Sequence, residues 1–196
     1  LVLRLQNEPE PGASQVLVRI QATSLNRRDL MILNLQLAKV LGARVIATTS
    51  SDEKAERLKQ LGADDVVNYR ATPGWSRTVR ELTAGVGVDR VVDTGGSDPL
   101  EESIKSVAPN GEIALVTAIG KRPMIEIHPP ALAASLLTSR RLLVGSRTTF
   151  EEMLRTIASS ELHPVIDRVF AFAEARQAYQ YYTTGSLFGK VVISQN

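Results

Sequence analysis

NLQLAKVLGARVIATTSSDEKAERLKQLGADDVVNYR, residues 34–70, reads as helix, strand, helix, strand. Leu35, Ala38 and Leu41 share one helical face, and Gly42 stands where a helix stops in left-handed backbone. Ala43 to Thr48 is a β-rich apolar run without alternation, the pattern of a strand buried on both faces. Ser50 and Glu53 have capping-box spacing and open the next helix, whose apolar face is Ala55, Leu58 and Leu61 and whose stop is Gly62. Asp65 to Tyr69 supplies another short strand. This is half of an α/β, doubly wound parallel sheet of the nucleotide-binding kind. No glycine-rich turn precedes its first helix.

The same alternation continues outward. Trp75 to Thr83 reads as a helix, and Val88 to Asp93 as a buried strand followed by the turn Thr94-Gly95-Gly96. Pro99 to Val107 is a helix with proline near its first turn, and Pro109-Asn110-Gly111 is a turn. Glu112 to Thr117 is a strand ending at Ile119-Gly120, Pro130 to Ser139 is helical, and Arg141 to Val144 is a strand ending at Gly145-Ser146-Arg147. Thr149 and Glu152 form a second capping box for a helix reaching about Ser159. Strands separated by helices imply parallel pairing with right-handed crossovers. Before this block, Gln15 to Ala22 alternates, with Val16, Val18 and Ile20 on one side, as a half-buried antiparallel strand does. After it come a strand from Val165 to Phe170, a helix from Ala173 to Tyr182 and a last strand from Lys190 to Ser194. The expected division is 1–33, 34–161 and 162–196, the outer two belonging to one β-rich domain.

The 196 residues, 43% of them hydrophobic, suffice for one domain, or one domain with a fragment of a second. No apolar run is long enough to span a membrane, and the N-terminus lacks a signal-peptide pattern. A formal net charge of +2, with basic residues interleaved with acids, argues against nucleic acid as a partner. There are no cysteines, so disulfides and thiolate zinc sites are excluded. His128 and His163 each precede proline and read as loop residues, so no metal is expected. A cytoplasmic setting is expected.

GARVIATTSSDEKAERLKQLGADDVVNYR, then GVDRVVDTGG, GEIALVTAIG and the closing FGKVVI, resembles the medium-chain dehydrogenase/reductase superfamily. LVRIQATSLNRRDL resembles the start of that superfamily's GroES-like catalytic domain, and its Asn26-Arg27-Arg28-Asp29-Leu30 form is similar to the zinc-free quinone oxidoreductase branch. The two blocks do not join as relatives join them. Leu33 runs straight into Asn34, where relatives carry most of the GroES-like domain, the first Rossmann strand and its glycine-rich loop. That strand is central in the order 3-2-1-4-5-6. Here it is either absent or replaced by Met31 to Leu33 as a very short strand, without the glycines that bring backbone N–H groups to a pyrophosphate.

The resemblance implies a Rossmann-like fold with GroES-like remnants. It also implies zinc-independent, NADP(H)-dependent hydride transfer to or from a carbonyl, enone or quinone. Such a chain takes a small-molecule substrate, needs neither nucleic acid nor membrane, and is compatible with a homodimer. In an NAD enzyme the second strand ends in an acid that accepts from the ribose 2′-hydroxyl. Here the position is Thr49-Ser50-Ser51, and Lys54 lies in the first helical turn. In similar quinone reductases the positions matching Ser50, Lys54 and Tyr69 line the 2′-phosphate pocket; otherwise Ser50 is a plain cap and Lys54 a solvated helix lysine. Gly95, Gly96, Ile119, Gly120, Gly145, Ser146 and Arg147 follow three strand ends and match positions flanking the nicotinamide and its ribose, or simply turn the chain. Asn26 matches a position beside the reacting carbonyl, or satisfies a local turn. Arg28 and Asp29 read as a structural ion pair, and Tyr179, Tyr181 and Tyr182 as helix packing. The alternative for the whole chain is a catalytically inactive remnant or interaction module. A methyltransferase of Rossmann type usually carries an acid after the second strand and would leave FGKVVI unexplained.

Overall fold

The structure, a computed structural model, describes residues 7–25, 30–96, 98–116, 136–142, 144–184 and 187–195. In chain order these form β1 (Ala22–Leu25), α1 (Leu30–Val40), β2 (Ile46–Thr49), α2 (Asp52–Gln60) and β3 (Asp65–Asn68). There follow α3 (Ser76–Leu82), β4 (Val88–Asp93), α4 (Leu100–Ser106), β5 (Val107–Leu115) and β6 (Thr138–Arg141). The last elements are α5 (Arg147–Ser159), β7 (Ile166–Ala171), a single 3-10 turn (Phe172–Glu174), α6 (Ala175–Thr183) and β8 (Lys190–Ser194). The chain divides into two compact units, Leu30–His163 and the two flanking segments Leu1–Asp29 with Pro164–Asn196.

In the central unit every strand pair is parallel. β2 pairs with β3 from Ile46↔Asp65 to Thr49↔Asn68. β5 lies between β4 and β6, with Val91↔Ile113 and Ile113↔Ser139 in register. The orders β3-β2 and β4-β5-β6 are the two flanks of the doubly wound order 3-2-1-4-5-6. No described strand stands between them, so β2 and β4 each keep an open edge among the described residues. Of the two alternatives for the central strand, replacement by Met31 to Leu33 is ruled out, because these residues belong to α1. The run LMILNLQLAKV is unbroken helix-former sequence, and Ile32 and Leu35, three apart, bury one face to 7% and 5% exposure. Leu41, expected on that face, lies beyond the helix and is exposed.

The first turns of α2 and α5 have local caps. Ser51, not Ser50, caps α2: its Oγ accepts from Lys54 N at 3.4 Å. Asp52 and Glu53 in the first turn and Arg57 and Lys59 in the last complement the helix dipole. Leu58 points inward, and Gly62 at φ +96° releases the chain toward β3. α5 is capped by Ser146 rather than Thr149, with Ser146 Oγ accepting from Thr149 N at 3.2 Å. β6 is set by its register on β5 and not by the apolar run RLLV, so it occupies Thr138–Arg141, including two residues expected to be helical. Val144, expected in that strand, is outside it and exposed.

The β4–β6 sheet is backed by α4. Ile104, Val107 and Ile113 are buried together, with Val91, Leu100, Leu115 and Leu137 around them. Burying such a side chain fully is worth about 1.5–3 kcal/mol. Arg80 fastens the α3–β4 turn to the α4–β5 turn. Its guanidinium donates to the carbonyls of Gly85, Val86, Lys105 and Val107 at 2.7–3.1 Å. Gly87 lies in the same junction at φ +94°, where a Cβ would come within 2.7 Å of Ser106 O.

Glu102 on α4 caps α3 from outside, accepting from Ser76 N at 3.0 Å and from Lys105 Nζ at 3.2 Å. Burial by itself raises this carboxyl, but the hydrogen bonds from Ser76 and Lys105 outweigh it and hold its pKa below the ordinary 4.5. Asp64, which accepts from Lys39 Nζ and Val45 N, is likewise held below its ordinary 3.8, chiefly by Lys39. A depressed carboxylate contributes stability that is present above its unfolded pKa and lost as pH falls through the folded one. The urea midpoint is therefore expected to hold above about pH 5 and fall steadily below about pH 4.5. Glu102→Gln should flatten that slope; an unchanged slope would remove Glu102 as a contributor.

The flanking unit is a sheet of order β1-β8-β7, β1 antiparallel and β7 parallel to β8. Leu25, Phe170, Ala178, Val191 and Ile193 form its buried centre, against which Tyr181 and Tyr182 pack. Tyr181 also donates to Asp167 Oδ2 at 2.8 Å, and the Arg168 guanidinium lies 4.8 Å from the Phe170 ring centre. The alternating segment before β1 is not a strand. Val16, Val18 and Ile20 are 82%, 71% and 57% exposed, and pairing begins only at Ala22. Alternation makes a half-buried strand only where a partner covers one face, and none does so among the described residues.

Candidate functional site

Loops leave the carboxyl ends of the parallel strands, the side on which open α/β sheets bind ligands. At the ends of β2 and β3, Tyr69 N donates to Thr49 O at 2.9 Å, so the two loops start side by side. Asn68 then joins them through its side chain. Its Nδ2 donates to Asp52 Oδ1 at 2.8 Å, and its Oδ1 accepts from Arg70 N at 3.1 Å and Ala71 N at 3.4 Å. Ser50 and Lys54 are half-buried on the α2 side, and Tyr69 and Arg70 are exposed on the β3 side. Among the described residues neither the Lys54 ammonium nor the Arg70 guanidinium has a partner. Asp52, the nearest acid to the end of β2, is turned to Asn68.

At the end of β4, Asp93 is 3% exposed. Its Oδ1 accepts from Gly95 N at 2.9 Å and Gly96 N at 3.2 Å, and its Oδ2 accepts from Ser103 Oγ at 2.8 Å. With both oxygens engaged, Asp93 shapes the loop. Gly95 is required by contact, since a Cβ there would lie 2.4 Å from Pro99 Cγ, and Gly96 takes φ +77°. Val116 N donates to Asp93 O and Leu142 N to Leu115 O, so the ends of β4, β5 and β6 lie in one row. Beyond β6, Ser146 is engaged as the α5 cap, and Arg147 pairs with Glu151 at 2.6 Å with a 90% exposed side chain.

Of the residues singled out in the sequence, the structure joins Ser50, Lys54 and Tyr69 in one corner. Gly95 and Gly96 wrap Asp93, and Gly145 to Arg147 open α5. Asn26, Arg28, Asp29, Ile119, Gly120 and His128 lie outside the described residues. Sequence reasoning passed over Asn68, Asp52 and Asp93 as builders of these loops. The signal for Asp93 is a carboxylate closing an otherwise apolar strand; for Asn68 it is an Asn at a strand end, where Asx turns form. Among the described residues no three His, Cys, Asp or Glu side chains converge as metal ligands, and no helix is long and apolar enough to cross a membrane.

Residues 32–159, more than half of the chain, match the zinc-binding dehydrogenase family. The chain belongs to that family. The chain is 36% identical over 162 residues to a zinc-type alcohol dehydrogenase-like protein of Schizosaccharomyces pombe, covering 81% of itself and 47% of the relative. It is 33% identical to a quinone oxidoreductase of Salmonella typhimurium, covering 74% of itself and 47% of that protein. Among solved structures it is similar to an NAD-dependent alcohol dehydrogenase, with a TM-score of 0.76 and 34% identity over 84% of this chain and 48% of the other. The chain thus spans about half the length of these curated relatives. Its relatives are oxidoreductases, a nicotinamide cofactor goes with the family, and its parallel α/β sheets are those of the medium-chain dehydrogenase/reductase nucleotide domain.

Proposed function

We propose that the chain is the nucleotide-binding part of an NADP(H)-dependent, zinc-independent oxidoreductase acting on a carbonyl, enone or quinone. The observation that carries the choice of NADP(H) is the corner at β2 and β3. No acid ends β2, Asp52 is engaged by Asn68, and the Lys54 ammonium, without a partner among the described residues, stands in the first turn of α2. Ser50, Lys54 and Tyr69 fit the adenosine 2′-phosphate. Gly95, Gly96, Ile119, Gly120, Gly145, Ser146 and Arg147 are the positions for the nicotinamide and its ribose. The nicotinamide, when bound, supplies or accepts the hydride. Asn26 is assigned the hydrogen bond to the reacting carbonyl, and the flanking unit is assigned to the GroES-like catalytic domain. The pyrophosphate is not served in the same way, since α1 opens without a glycine-rich turn.

That last point supports a second reading, an inactive remnant or interaction module. Titration with NADPH and NADH tests both. A charge-assisted phosphate contact is worth about 1.5–3 kcal/mol. Lys54→Ala is therefore expected to weaken NADPH about ten- to a hundredfold and leave NADH unchanged. Equal losses for the two would sink the NADP(H) assignment, and no binding of either by the unaltered chain would select the second reading.

A further inference from the structure

We infer that Asn68 is a positioning residue that clasps the two arms of the adenosine 2′-phosphate pocket, and that Arg70 is the second cation of that pocket. The inference rests on the NADP(H) reading and extends it to two residues to which the resemblance assigned no role. One arm is the first turn of α2, carrying Lys54 three residues after its Ser51 cap. The other is the segment after β3, carrying Tyr69 and Arg70. Backbone pairing between β2 and β3 ends at Thr49↔Asn68, with one further bond from Tyr69 N to Thr49 O. Past that point a side chain must hold the arms together, and Asn68 does so with both ends of its amide. Nδ2 reaches across to Asp52 Oδ1, the first residue of α2, while Oδ1 folds Arg70 N and Ala71 N back over the strand end.

The clasp has an electrostatic consequence. A carboxylate in the first turn of α2 opposes a phosphate arriving nearby; the Asn68 amide holds Asp52 Oδ1 in place while leaving its charge, so Asp52 serves the clasp and not the phosphate. Lys54 and Arg70, which have no partner among the described residues, are carried one on each arm. A phosphate dianion bridging them gains from both only when their spacing is preset, because otherwise each binding event must order the arms. A 5′-phosphate alone engages neither cation, so the clasp acts on the 2′-phosphate and not on adenosine binding in general.

The pocket lies wholly at β2 and β3, so the full chain can be titrated with adenosine 2′,5′-bisphosphate against 5′-AMP, without a pyrophosphate site. Wild type is expected to prefer the bisphosphate about tenfold or more. Asn68→Ala should reduce that preference about tenfold and Arg70→Ala about three- to tenfold, with 5′-AMP changed less than about twofold. Asp52→Asn keeps an acceptor for Asn68 and should bind the bisphosphate at least as tightly as wild type. Asp52→Ala removes the same charge and the clasp together and should bind about tenfold more weakly than Asp52→Asn. Equal affinities for the two Asp52 variants, or parallel losses for both nucleotides in Asn68→Ala, would overturn the clasp while leaving the NADP(H) reading intact. A wild type that does not distinguish the two nucleotides would overturn the NADP(H) reading itself, and the clasp with it.

Discussion

Placing one apolar strand and a glycine-rich turn ahead of α1 is expected to raise NADPH affinity about a hundredfold or more over the chain as it stands. The gain has two sources. A glycine-rich turn brings two or three N–H groups to the pyrophosphate, and each charge-assisted bond is worth about 1.5–3 kcal/mol. A parallel strand between β2 and β4 would also close both open edges. Each buried backbone group left unpaired costs about 1–3 kcal/mol, against a total domain stability of only about 5–15 kcal/mol. The unaltered chain is therefore expected to be marginally stable, to associate through its open edges and to turn over NADPH poorly or not at all. Calorimetric titration, thermal melting and light scattering on both chains test this together. A cooperative, monomeric melt of the unaltered chain with micromolar NADPH binding would show that the junction before Asn34 does not limit function.

Gly87→Ala is expected to cost about 3–5 kcal/mol, enough to unfold much of the central unit at room temperature. The residue sits at φ +94°, and a Cβ would meet Ser106 O at 2.7 Å, Ala108 N at 2.8 Å and Val107 C at 2.9 Å. All three are backbone atoms of the α4–β5 turn, so relief requires moving β5 itself. Arg80→Ala should follow at about 2–4 kcal/mol, because it strips donors from the Gly85, Val86, Lys105 and Val107 carbonyls at once. Urea unfolding followed by circular dichroism measures both. A change below about 1 kcal/mol for Gly87→Ala would mean that the junction yields more readily than packed interiors do.

The parallel sheets were legible because buried strands announce themselves without needing a partner. VVD before TGG and KVVIS after FG mark β4 and β8 to the residue, since glycine turns bound both. Features decided by a neighbour were not legible. Two adjacent serines can each cap a helix, and the choice of Ser51 depends on where β2 releases the chain. Alternation from Gln15 describes a strand only if another covers it. β6 sits where Leu115 and its predecessors hold it, three residues before the more apolar run. In the site, residue types near a phosphate could be listed from sequence, but the Asn68 link across 16 positions could not. Nothing in local spacing says that two polar side chains from successive loops will meet.

The pairing of Ala22 with Ser194 joins opposite ends of the sequence. Closing so long a connection as a free coil costs about 4–5 kcal/mol beyond a constant, because loop-closure entropy grows as the logarithm of length. Gln36 Nε2 donates to His163 O at 2.9 Å, tying the beginning of the central unit to its end. Once that tie has formed, the separation left to close shrinks to the segments from Ala22 to Gln36 and from His163 to Ser194, which lowers the closure cost by about 1 kcal/mol. The order of assembly follows. The central unit folds first and acts as a staple. β1 then waits for β8, and refolding should show a late phase carried by the flanking unit, slowed by Gln36→Ala.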